Sequence, residues 1–125
     1  MVTHNVSSVI RRREDLRLLN GTEVLVSGRL KEYRRHEKRR DLDTLLLVNL
    51  SVLPQPLGES IFIGHMWFLR RQFKKIGWVP TQGQRVQFLG VVYPYRRLGG
   101  RSIDRGIFNQ TDYGIKPLRY ENQNP

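Results

Sequence analysis

Residues 60–77 read SIFIGHMWFLRRQFKKIG, and the spacing of apolar residues changes within this stretch. From 60 to 68 large side chains occupy both faces of an alternating pattern, which predicts a third strand that is central or partly a binding surface. A helical spacing of i, i+4 and i+7 then follows at Leu69, Phe73 and Ile76. This spacing predicts a short helix over 69–76, which Gly77 ends. Such a helix is long enough to close one end of a barrel but too short to cover a sheet.

Alternating apolar residues predict four more strands around this stretch. Two precede it, at about 22–33 and 44–53, and two follow it, at about 83–95 and 111–118. Val24, Val26, Gly28 and Leu30 share one face of the first strand, where the interior glycine marks a bend or bulge. In the second strand Leu46, Val48, Leu50 and Val52 fall on one face, opposite Leu45 and Leu47.

The order strand, strand, strand, short helix, strand, strand resembles that of the OB-fold, a five-stranded Greek-key barrel. The resemblance spans about residues 22–118 and lies in the pattern of elements, with no specific sequence motif. It implies an all-β protein with a five-stranded OB-like barrel and a short helix between strands 3 and 4. A five-stranded SH3-type barrel is the alternative, which the helix and the long fourth connection disfavour.

A single domain is expected for a chain of 125 residues. Residues 1–20 are predicted to form a charged lead-in with a helical turn that Ser7 or Ser8 caps and Asn20-Gly21 ends. The barrel is predicted over 21–119, and 120–125 form a polar tail. No apolar run approaches the ~18 residues of a membrane span, and no apolar segment follows the N-terminal arginines. A cytoplasmic protein without a membrane partner is therefore expected.

The charge balance points to an anionic partner. The chain has 22 Lys and Arg residues against 11 Asp and Glu, for a net charge of +11. Arginine is far more frequent than lysine, and guanidinium groups bind phosphate bidentately and stack on bases. We therefore expect nucleic acid as the partner, although a merely soluble basic protein would share this composition.

The OB resemblance implies where nucleic acid would bind. Oligonucleotides lie across strands 2 and 3 of an OB-fold, flanked by the first-to-second and fourth-to-fifth loops. The residues that we predict to contact phosphate lie in those two loops: Arg34, Arg35, Lys38, Arg39, Arg40, Arg96, Arg97, Arg101 and Arg105. Asp41 and Asp43 stand among the first group, where their position suits ion pairing.

Aromatic side chains supply the second requirement for single-strand binding, because each stacked base contributes ~1–3 kcal/mol. The candidates are Tyr33, Trp67, Tyr93 and Tyr95, and the predicted platforms among them are Tyr33, Trp67 and Tyr95. Trp78 is expected to pack against the base of the barrel. A separate basic cluster lies on the predicted helix, at Arg70, Arg71, Lys74 and Lys75. This cluster is expected to be a solvated face, with a second nucleic-acid contact as the alternative.

The sequence contains no recognisable catalytic constellation. Cysteine is absent, and His4, His36 and His65 do not have metal-ligand spacing. The carboxylates are dispersed, which disfavours a two-metal nuclease centre. We therefore predict a protein that is not an enzyme and has no cofactor or metal.

Three functions remain open at this point. The first is a single-stranded DNA- or RNA-binding module. The second is a non-catalytic module that docks an acidic protein partner in a replication, repair or translation complex. The third is a small nuclease. A homo-oligomer that pairs barrels through the region of Val91 is also compatible with the sequence.

Overall fold

The computed structural model describes residues 13–56, 58–97 and 110–122. Along the chain these residues form a 3₁₀ helix (Arg13–Leu19), β1 (Glu23–Arg34), a short 3₁₀ turn (Arg40–Leu42), β2 (Thr44–Pro54), β3 (Ile61–Leu69), α1 (Arg70–Lys75), β4 (Arg85–Arg97) and β5 (Gln110–Tyr120). The predicted mostly-β class is confirmed, and each predicted strand is present with small shifts at its ends.

The five strands form one antiparallel sheet in the order β3-β2-β1-β4-β5, which curls into a half-barrel. β1 lies at its centre, where Val26 pairs with Val52 of β2 and with Phe88 of β4. The register of β1 against β2 shifts between Ser27 and Arg29, so the predicted irregularity at Gly28 is confirmed. A side chain there would crowd β2, because a Cβ would lie 3.3 Å from Leu50 Cδ2.

The core lies on the inner side of the curled sheet. In β1 the predicted apolar face, from Val24 to Leu30, is buried as expected. The predicted face of β2 is wrong, because Leu45, Leu47, Leu50 and Val52 are buried together while Leu46 and Val48 lie on the other side. Asn49 causes the change of face: its φ of 53° is in the left-handed region, and the β2–β3 register shifts at this residue.

Phe73 joins α1 to the core. Its side chain is fully buried, with its ring centroid 5.4 Å from those of Phe68 in β3 and Phe88 in β4. The helix also contacts β5, so it touches both edge strands of the sheet. The N-terminal 3₁₀ helix contributes Leu16, fully buried against β4 and β5. This part of the predicted lead-in therefore belongs to the packed domain.

Trp78 packs against the core as the sequence predicts. The Trp78 indole stacks on the ring of Tyr120 at a centroid distance of 3.9 Å, and the Tyr120 hydroxyl donates a hydrogen bond to the Trp78 carbonyl oxygen. Burial raises the pKa of Tyr120, so this hydroxyl keeps its proton and remains a donor.

Candidate functional site

The outer side of β1, β2 and β3 carries an exposed tryptophan. The register aligns Glu32, Leu46 and Trp67 in one row across the three strands. Trp67 is 38% exposed, and the guanidinium carbon of Arg34 lies 4.6 Å from its ring centroid. We call this surface the Trp67 face; its members are Arg34, Leu46, Val48, His65 and Trp67. It combines an aromatic ring, a half-buried apolar floor and a cation, Arg34, whose Nη2 donates a hydrogen bond to Glu32 Oε2 at 3.0 Å.

Tyr33, a second predicted platform, lies on the inner side of β1. It pairs with the buried Leu45, packs against the core and donates its hydroxyl to Asp43 Oδ2 at 2.8 Å. The register shift between Leu30 and Glu32 turns it inward, because regular alternation would have placed it outside. Tyr33 and Trp67 therefore do not share a surface.

Tyr95, the third predicted platform, lies at the far end of the sheet. β4 runs antiparallel to β1, and Val91 of β4 pairs with Glu23, the first residue of β1. Tyr95 comes after Val91, so it lies past the start of β1, whereas Arg34 is at the end of β1. Its hydroxyl donates to Asp112 of β5 at 3.2 Å. The three predicted platforms thus occupy three different places.

The second predicted basic loop is described only in part. The backbones of Arg96 and Arg97 belong to β4, where they pair with Thr111 and Gln110, so their assignment to a loop is corrected. The strand continues further than the change from apolar to basic residues suggests, because its pairing uses backbone groups alone. Arg101 and Arg105 lie outside the described residues.

The first predicted basic loop is organised around Asp43, whose side chain is fully buried. Its carboxylate accepts hydrogen bonds from the His36 backbone N–H at 2.7 Å, the Tyr33 hydroxyl at 2.8 Å and Arg40 Nε at 3.1 Å. These bonds, the His36 bond first, hold the pKa of Asp43 below its usual value against the opposing effect of burial. The ionised carboxylate therefore fixes the path of residues 36–43.

The predicted ion pairing of Asp41 is confirmed. It accepts two hydrogen bonds from Arg39, at 3.2 Å and 2.7 Å, and this pairing lowers its pKa. Among the described residues Arg35 and Lys38 have no carboxylate partner. Of the five cations predicted in this loop, Arg34 is instead the last residue of β1 and pairs with Glu32 at 3.0 Å. Two others, Arg39 and Arg40, are paired within the loop, and the remaining two stay available.

Three arginines line a groove beside this loop. Arg35 and Arg40 enter it from the loop and Arg70 from the first residue of α1; Tyr33 and residues 79–82 complete a volume of about 420 Å³. We call it the arginine groove. Arg70 was predicted as part of a solvated helix face, with a second nucleic-acid contact as the alternative. Its place follows from a tertiary contact, since its backbone N–H donates to the Asp43 carbonyl at 2.8 Å.

No family model, curated protein or solved structure matches the chain. Within residues 13–56, 58–97 and 110–122, no helix has the length and apolar character needed to cross a membrane. The same residues contain no cluster of three or more His, Asp or Glu side chains that could hold a metal ion. The Trp67 face and the arginine groove are therefore the candidate functional surfaces.

Proposed function

We propose that this protein binds single-stranded nucleic acid across the Trp67 face of an OB-like barrel. The observation that carries the proposal is the exposed Trp67 beneath Arg34 on the outer side of β3. The sheet order β3-β2-β1-β4-β5, with a helix between β3 and β4, is compatible with an OB barrel. Strands 2 and 3 are where such barrels bind oligonucleotides.

The energetics favour a base on Trp67. An exposed cation–π contact contributes ~0.5–1 kcal/mol, whereas a base stacked on an aromatic side chain contributes ~1–3 kcal/mol. A base that takes the place of Arg34 on the indole therefore gains free energy. The displaced guanidinium can bind the adjacent phosphate once it leaves Glu32, because an ion pair this exposed contributes only ~0.2–1 kcal/mol. Leu46, in register with Trp67, extends the apolar floor under the sugar.

The arginine groove supplies the phosphate contacts. Among the described residues Arg35 and Arg70 have no carboxylate partner, and Arg40 shares Asp43 with two other donors. Guanidinium groups gathered in one groove repel one another unless an anion lies between them, and each can bind phosphate bidentately. The end of β1 connects the two surfaces, because Arg34 lies on the Trp67 face and Arg35 lines the groove.

Fluorescence anisotropy with labelled single-stranded DNA and RNA of about 12 nucleotides tests the proposal, since OB-folds occupy ~4–16 nucleotides. Trp67→Ala is expected to weaken binding about 5- to 150-fold, the equivalent of one lost stack. Leu118→Ala is the control: Leu118 is another 38% exposed large apolar residue, on β5 at the opposite edge of the sheet from β3. Absence of binding at about 50 mM salt, or equal losses in both variants, would refute the proposal.

The arginine groove is tested by salt dependence. Each single-strand phosphate contact contributes ~0.7 to the slope of log affinity against log salt, so Arg35→Ala and Arg70→Ala should each reduce that slope by about this amount. If the chain binds a polyglutamate peptide but not oligonucleotides, with the same dependence on the two arginines, it docks an acidic protein instead.

A further inference from the structure

A second basic surface lies between α1 and the outer side of β4 and β5. Its groove, of about 460 Å³, is lined by Arg71, Gln72 and Lys75 of α1, Tyr93 of β4, and Lys116 and Pro117 of β5. We call it the Tyr93 groove. None of these residues belongs to the Trp67 face or the arginine groove, so its role is independent of the proposed function.

Tyr93 provides a flat aromatic surface in this groove. The side chain is 36% exposed, and its ring lies over Gly114 of β5. A Cβ at Gly114 would come within 3.2 Å of the Tyr93 hydroxyl oxygen and 3.3 Å of two ring carbons. The ring thus packs on bare backbone, with the Tyr95 ring 6.0 Å away between centroids, and its exposed part lines the groove.

Three cations surround this ring, and no carboxylate is among the lining residues. Arg71 and Lys75 are four residues apart on α1 and so lie on one side of the helix, while Lys116 approaches from β5. Asp41 Oδ2 lies 3.7 Å from an Arg71 terminal nitrogen. That separation exceeds hydrogen-bond length, and Asp41 already binds Arg39 at 2.7 Å, so Arg71 keeps donors for another anion.

We infer that the Tyr93 groove binds a nucleotide, with the base or sugar against Tyr93 and the phosphate held by Arg71, Lys75 and Lys116. An aromatic ring beside three cations matches a ligand that joins a planar ring to a phosphate anion. The volume is within the ~300–1,000 Å³ typical of small-molecule sites. The nucleotide is either a free mononucleotide or one residue of a strand that continues over α1.

Isothermal titration calorimetry of the full chain with AMP and UMP tests the inference. Adenosine, which lacks the phosphate, and inorganic phosphate, which lacks the nucleoside, are the comparison ligands. Both mononucleotides are expected to bind more tightly than either half. A Lys75→Ala/Lys116→Ala double variant and Tyr93→Leu should each weaken them by about tenfold. Lys74→Ala is the matched control, because Lys74 is an exposed lysine of the same helix that does not line the groove.

Oligonucleotides of about 4 and 12 residues distinguish the two sources. If the wild type does not bind mononucleotides and the double variant loses affinity for the longer oligonucleotide alone, the groove binds one residue of a continuing strand. The inference is overturned if mononucleotides do not bind and the double variant binds both oligonucleotides like the wild type, or if Lys74→Ala loses as much affinity as the double variant. If Trp67→Ala binds oligonucleotides normally while the double variant does not, the proposed function of the Trp67 face fails and this inference stands.

Discussion

Replacing Phe73 by alanine should remove the largest single contribution of α1 to the fold. The side chain is 0% exposed, and its ring centroid lies 5.4 Å from those of Phe68 and Phe88 and 6.1 Å from that of Tyr120. A buried aromatic side chain removes ~150–250 Å² from water, worth about 4–6 kcal/mol at ~25 cal/mol per Å². Part of the site will collapse around the alanine, so we expect a loss of about 3–5 kcal/mol.

Urea unfolding followed by circular dichroism measures this loss, with a companion decrease of roughly 12–20 °C in Tm at ~4 °C per kcal/mol. Phe62→Ala is the control for stability, because the same chemical change at a 38% exposed side chain should cost less than about 1 kcal/mol. The reasoning is refuted if Phe73→Ala costs under about 1.5 kcal/mol, or if both variants lose equal stability. A folded Phe73→Ala protein should also bind mononucleotides poorly, since α1 carries half of the Tyr93 groove.

Three further variants test other parts of the structure. Asp43→Asn should lower Tm at pH 7. The pKa of Asp43 is depressed in the folded state, so its carboxylate stabilises the fold fully above the unfolded-state pKa of ~3.9, and this stabilisation is lost as the pH falls through the folded-state pKa. The Tm difference from the wild type should therefore narrow toward about pH 3, and a pH-independent difference would contradict this account. Gly90→Ala should destabilise the domain by about 1–3 kcal/mol in urea, because its Cβ would lie 2.7 Å from Ile115 Cγ2; a loss below ~0.5 kcal/mol would exclude the clash. Asp41→Asn should release Arg39 and raise oligonucleotide affinity about threefold at low salt with little change in Tm, since exposed ion pairs contribute little; unchanged affinity would count against a binding role for Arg39.

Alternation of apolar residues was sufficient to predict the five strands and the inner face of β1. It could not predict the positions where the strand period is broken. Asn49 adopts a left-handed conformation that moves Leu50 to the core, and a register shift before Glu32 turns Tyr33 inward. Both changes depend on how neighbouring strands pair, which the alternation within one strand does not encode.

The candidate sites likewise include parts that the sequence predicted and parts that depend on tertiary contacts. Trp67 was predicted to be a platform, and it lies on an outer face beside a predicted cation, Arg34. Tyr93 was a candidate for stacking and the helix cations an alternative nucleic-acid contact, but their meeting in one groove was not predicted. The groove requires α1 and β5 to meet, and Lys116 is far from the helix in the chain. Pairing of Asp41 with arginine was predictable from their proximity in the sequence, whereas the burial of Asp43 was not.

The buried Asp43 also bears on how quickly a ligand would be captured. A long charged loop normally samples many conformations, and a partner must then bear the entropy of selecting one of them. Here three donors hold residues 36–43 in place through one carboxylate, so most of that ordering takes place during folding. Association through this loop should therefore resemble docking onto a rigid surface, with a fast on-rate set by long-range attraction and little subsequent rearrangement.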